Sequence, residues 1–92
     1  MKQVKIVVSG KVQGVCFRHY TREEAQKLNL IGYVKNLANG NVEIVAQGEN
    51  SAVDRLITWA GVGSPSAQVK DVNWELVNND DRQEFSNFSV RY

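Results

Sequence analysis

The chain has one cysteine, one histidine and almost no surplus of charge, and each scarcity removes a class of function. A lone cysteine leaves no partner for an intrachain disulfide and no thiolate cage for a metal, which suits a reducing cytosol. Eleven basic against ten acidic residues leave a net charge of +1, far from the clustered positive charge that favours nucleic-acid or membrane surfaces. No apolar run near the N-terminus is long enough for a signal peptide or a membrane span, and Met1 to Val8 passes directly into strand pattern. The expectation is a cytoplasmic protein with no nucleic acid and no membrane as partner. Low-complexity segments are missing too, and 92 residues make one expected domain, 1–92, that can bury a modest core without staples. Aromatics are absent from Val4–Ser9 and Val42–Gly48, where an RNA-reading sheet would need them, so Trp59, Trp74, Phe85 and Phe88 are expected in the core.

What is present is regular patterning. Val4, Ile6 and Val8 alternate with polar residues as a strand with one buried face, Val7 being the exception. From about Phe17 to Leu28 the period becomes helical, with Phe17, Thr21, Ala25 and Leu28 on one stripe, acidic residues in the early turns and Asn29 as a left-handed stop. Thr21 to Glu24 also fits a capping box, so a helix starting as late as Arg22 stays open. Ile31 to Gly48 reads as a hairpin turning at Ala38-Asn39-Gly40. A two-residue turn would put Lys35 on the face of Val42 and Ile44; a three-residue loop with Gly40 as a left-handed bulge puts Val34 there and sets Lys35 opposite Glu43. The second register is the better one, and it leaves Asn36 at a strand end on the covered face.

A second helix is expected from about Ser51 to Ala60, with Ser51 as the cap, Asp54 at the third position and Val53, Leu56, Ile57 and Ala60 as its apolar stripe. Gly61, Gly63 and Pro65 stop it. Strands follow around Val69–Val77 and Phe85–Arg91. The order βαββαββ, with two helices on one face of a mostly antiparallel sheet, is an α+β fold of the ferredoxin-like α/β sandwich type. Since the first helix begins where the first strand ends, and the second strand returns to that level, Arg18 and Asn36 are expected at the same end of the sheet.

The Gly10-Lys-Val-Gln-Gly-Val-Cys-Phe-Arg18 segment joins that strand to that helix. Unpaired N–H groups at a helix start lie at the positive end of its dipole, glycine permits close approach, and an arginine adds a planar fork of donors suited to a phosphoryl group. Glycine loops alone are weak evidence of an anion site. Asn36, on the covered face, needs a hydrogen-bonding partner that a bound water or a substrate would supply.

The same segment, with Gly32-Tyr-Val-Lys-Asn36, Val45-Ala-Gln-Gly48, Trp59, Gly63-Ser-Pro65 and Phe85 to Tyr92, resembles the acylphosphatase family, whose signature reads Gly, any, Val-Gln-Gly-Val, any, Phe-Arg. The resemblance spans the whole chain. It implies a hydrolase that cleaves the carboxyl–phosphate bond of acyl phosphates by direct in-line attack of water, without metal or other cofactor, acting on a small-molecule acyl phosphate as a monomer. It further implies that Arg18 and the backbone N–H groups of Gln13, Gly14, Val15, Cys16 and Phe17 bind the phosphoryl oxygens, while Asn36 holds the water. A non-catalytic phosphate-binding module on the same fold is the alternative. Retention of Asn36 beside Arg18 favours the enzyme.

Two further residues suggest other chemistry. Cys16, five residues and then Arg22 match the minimal spacing of cysteine-dependent phosphatases, but the intervening Phe17-Arg-His-Tyr-Thr21 is bulky and helical where those enzymes wrap a glycine-rich cradle. His19 follows Arg18 directly, yet adjacent helix residues point about 100° apart, so a general acid or base role is not expected of it.

Overall fold

A computed structural model of the chain describes residues 1–92. The elements run β1 (Lys2–Lys11), α1 (Phe17–Lys27), β2 (Ile31–Asn36), β3 (Val42–Gly48), α2 (Asn50–Ala60), β4 (Gln68–Leu76) and β5 (Phe88–Arg91), with a short 3-10 turn at Asn79–Asp81. One five-stranded sheet has the order β4-β1-β3-β2-β5, in which only the β2–β5 pair is parallel. Both helices lie on one face, as the ferredoxin-like reading requires. There Val4, Ile6, Val8, Val34, Val42, Ile44 and Phe88 from the strands meet Phe17 and Ala25 from α1 and Val53, Leu56 and Ala60 from α2 in one buried cluster.

The hairpin takes the register that burial favours. Lys35 pairs with Glu43, Val34 with Ile44 and Asn36 with Val42. Leu37 N–H donates to Asn41 O at 2.8 Å and Gly40 sits at φ 94, the left-handed bulge that a three-residue loop needs. α1 begins at Phe17 and not after Thr21, whose hydroxyl donates back to the Phe17 carbonyl from inside the helix. Its first turn carries no acid, Glu23 and Glu24 falling one turn later. Asn29, at φ 58, ends it as expected.

Three expectations fail. Ser51 is not the cap of α2: the helix starts at Asn50, Glu49 is the extended flanking residue, and the first bond runs from Val53 N–H to the Glu49 carbonyl with no side chain capping. Asp54 instead pairs with Lys2 at 2.7 Å. Trp74 is 48% exposed rather than core; its alternation with Val72 and Leu76 is real, but β4 is the sheet edge, where Val69 and Val72 pack against the core and Trp74 and Leu76 stay exposed. Phe85 lies outside β5, which begins at Phe88, and packs on Tyr33 with ring centroids 5.9 Å apart.

The face without helices holds a polar cluster. Tyr33 OH donates to Glu43 Oε2 at 2.8 Å, while the Lys5 and Lys35 ammoniums lie 3.4 and 3.5 Å from the Glu43 carboxylate. Burial works against the Glu43 charge, but the Tyr33 hydrogen bond and the two lysines outweigh it and hold the carboxyl below its ordinary 4.5. Burial, then hydrogen bonding to Glu43, pushes the Tyr33 phenol above 10.0. Glu43 therefore contributes stability that is present above pH 4.5 and is lost as pH falls through its lowered pKa; Tyr33 contributes stability that is lost as pH rises past 10.0. Thermal unfolding followed between about pH 3 and 7 should show a falling midpoint on the acid side. That acid limb should be shallower in Glu43→Gln; an unaltered limb in the variant would show that other carboxylates cause it.

Candidate active site

The segment between β1 and α1 is built to leave its backbone donors free. Gly14 at φ 75 and Cys16 at φ 60 and ψ 22 take left-handed conformations, turning the chain sharply into the helix. From Gln13 through His19 no backbone N–H donates to a protein atom, and the first to do so is Tyr20, to Cys16 O at 3.1 Å. Three ties hold the loop in this shape. Gln13 Nε2 donates to the Leu37 and Asn41 carbonyls of the hairpin, each at 2.8 Å. The buried Ser64 hydroxyl donates to the Val15 carbonyl at 2.8 Å. The Phe17 ring is 1% exposed and packs on Trp59 at 5.5 Å.

A cleft of about 350 Å³ opens at this end of the sheet, lined by Gly14, Cys16, Phe17, Arg18 and Asn36 of the sequence-derived set. Arg18 and Asn36 thus face one space, as the topology requires. Gln13 and Val15 do not line it; the Gln13 side chain and the Val15 carbonyl anchor the loop from behind. Asn36 is partly buried, and its Oδ1 is fully buried without a donor from the protein. An unpaired buried amide oxygen costs about 1–3 kcal/mol, so the side chain keeps a costly hydrogen-bonding capacity directed at this end of the fold. Arg18 Nη1 donates to the Arg91 carbonyl at 3.1 Å, and its guanidinium stacks over the Tyr92 ring at 4.7 Å. No group of three or more His, Cys, Asp or Glu side chains is placed to hold a metal ion.

The cleft also contains residues that the sequence reading gave no role. His19, Arg22, Val90 and Tyr92 line it. The parallel pairing of β5 with β2 brings the last two there, and no local pattern announces that pairing. Arg22 follows Arg18 by four residues, which on a helix means the same face; that spacing was the available signal.

Cys16 is exposed and occupies a conformation that costs an L-residue roughly 1–2 kcal/mol. Cys16→Gly should accordingly raise stability by about 0.5 kcal/mol, the relief of backbone strain exceeding the added freedom of the unfolded chain. Denaturant midpoints of the two proteins measure this. A loss of about 1 kcal/mol, the usual penalty for glycine in a helix, would mean that the left-handed geometry is not what position 16 feels.

Comparison with known proteins places these features in a wider set. The acylphosphatase family profile matches residues 4–90. An acylphosphatase of Coxiella burnetii is 47% identical over 88 residues, 96% of this chain and 90% of that protein. Human acylphosphatase-2 is 42% identical over 93 residues, 100% of this chain and 94% of that protein. The crystal structure of acylphosphatase from Bacillus subtilis superposes with a TM-score of 0.93 at 37% identity, with all of both chains covered.

Proposed function

The chain belongs to the acylphosphatase family and hydrolyses acyl phosphates, and from that premise we propose how its own residues carry out the reaction. The free backbone N–H groups of the Gln13–Phe17 loop, of which Gly14, Cys16 and Phe17 line the cleft, and the Arg18 guanidinium bind the three phosphoryl oxygens, while the Asn36 amide holds a water in line with the bond to be broken. The observation that carries this reading is the convergence on one cleft of unpaired backbone donors, one arginine fork and one amide with unused capacity. Residues 1–92 act as one domain. Every group assigned a role comes from a single copy of the chain, which supports a monomer, and the single cysteine supports a cytoplasmic setting. No helix is long and apolar enough to cross a membrane.

The substrate explains why so little chemistry is asked of side chains. A departing carboxylate has a conjugate-acid pKa of about 4, so it leaves without a general acid. The attacking water passes its proton to a phosphoryl oxygen of the substrate, and the P–O bond to the acyl group breaks as the new P–O bond forms. The transition state of phosphoryl transfer is loose, so positioning and charge stabilisation supply most of the acceleration. A phosphomonoester, whose alkoxide leaves poorly, is a poor substrate by the same logic.

Phosphate release from acetyl phosphate, measured beside a phosphomonoester in the presence of a chelator, tests the mechanism. Acetyl phosphate should be hydrolysed over a broad neutral range and the ester should not. Dependence on added magnesium would overturn the scheme, as would a steep pH limb that disappears in His19→Ala. Cys16→Ser and Cys16→Gly should hydrolyse acetyl phosphate within about tenfold of the parent rate, because the N–H and not the thiol is used. A folded but inactive Cys16→Ser protein would revive the cysteine-phosphatase alternative.

A further inference from the structure

The cleft holds more positive charge than a phosphoryl group requires. Besides Arg18 it is lined by Arg22, and no aspartate or glutamate lines it. Neither arginine forms an ion pair with a carboxylate, and Glu23 pairs instead with His19, 3.8 Å from its Nε2. Arg22 is partly buried, and its Nη2 lies 3.4 Å from His19 Nδ1, so the imidazole steadies a guanidinium that has no anionic partner. Four helical steps at about 1.5 Å rise each set the two arginines about 6 Å apart along one helix face. The whole chain has a net charge of only +1, so the concentration of cations here is local.

We propose that Arg22 is a specificity-determining residue that receives an anion carried by the acyl group, so that acyl phosphates bearing a second negative charge several bonds beyond the carbonyl are the preferred substrate class. This rests on the assignment of Arg18 to the phosphoryl group: with one arginine engaged there, the next along the helix faces the leaving group. Simple acyl phosphates remain substrates, because the phosphoryl contacts are common to all of them. Charged ones gain an added attraction in a partly exposed site, which is worth a few-fold and is weakened by salt.

The test uses the full chain and two rigid substrates of equal size, 3-carboxybenzoyl phosphate and 3-carbamoylbenzoyl phosphate, which differ by one charge. The wild type should favour the carboxylate by about threefold to tenfold in kcat/KM at low ionic strength, and the preference should shrink as salt is added. Arg22→Gln should bring the ratio of the two close to that of their uncatalysed hydrolysis, Arg22→Glu should reverse it, and Arg22→Lys should keep most of it. An equal ratio in wild type and Arg22→Gln, or an equal fall for both substrates, overturns the proposal while leaving the enzyme reading intact. Failure of the wild type to hydrolyse either compound overturns the enzyme reading, and the proposal with it.

Discussion

Arg18→Lys should lower kcat/KM for acetyl phosphate by about a hundredfold or more, the usual effect of removing a transition-state charge stabiliser, while the protein stays folded. A lysine keeps the charge but not the geometry. The guanidinium presents parallel donors to two oxygens at once, and an ammonium on a flexible stem is a point charge that must be held in place. Here the fork is also set in advance. One nitrogen donates to the Arg91 carbonyl at 3.1 Å and the guanidinium carbon lies over the Tyr92 ring, 4.7 Å from its centroid, so less freedom is lost when substrate binds. Lysine would give up that stacking as well as the second donor. The fold has little to lose, since Arg18 is outside the buried core and forms no ion pair. Steady-state kinetics with thermal unfolding of both proteins decides the matter. Turnover near the parent level in a folded lysine variant would remove Arg18 from the site.

Much of this arrangement was legible in the sequence because local rules and burial agreed. The hairpin is the clearest instance: only the register with Gly40 in a left-handed bulge keeps Val34, Val42 and Ile44 on one face, and that register carries Asn36 to the cleft. The start of α1 stayed open between Phe17 and Arg22, because Thr21 to Glu24 imitates a capping box; burial of both Phe17 and Thr21 inside the helix decides it. Where local and tertiary preferences diverged, the reading failed. Ser51 is a better capping residue than Glu49, yet α2 begins at Asn50 with only a backbone bond to close its first turn. Trp74 obeys the strand alternation and still meets solvent, because coverage depends on strand order and β4 is an edge. The contacts that shape the site were out of reach for a related reason. Gln13 to the hairpin, Ser64 to the Val15 carbonyl and Arg18 to Arg91 span 24, 49 and 73 residues, and no periodicity encodes a partner so far away.

Asn36→Ala should separate the two halves of the mechanism. Turnover should fall by about a hundredfold, as when a group that positions a reactant is lost, while inorganic phosphate should still inhibit competitively with nearly its original affinity. The asymmetry follows from where the residue stands. Phosphate meets the backbone donors of the α1 entry and Arg18, none of which depends on the Asn36 side chain for its place: the loop is held by Gln13, Ser64 and Phe17, and the arginine by the C-terminal strand. The amide, by contrast, ends β2 across the cleft from that loop, with an oxygen that no protein donor reaches. Removing it discards a buried polar atom that was unpaired, so stability should hold or rise slightly, the opposite of what deleting a satisfied buried amide would do. A group that orients the attacking water acts on the step after binding, and its loss lowers kcat with little change in substrate affinity. If phosphate inhibition weakens in step with turnover, Asn36 contacts the phosphoryl group itself, and the water must be held by another part of the cleft.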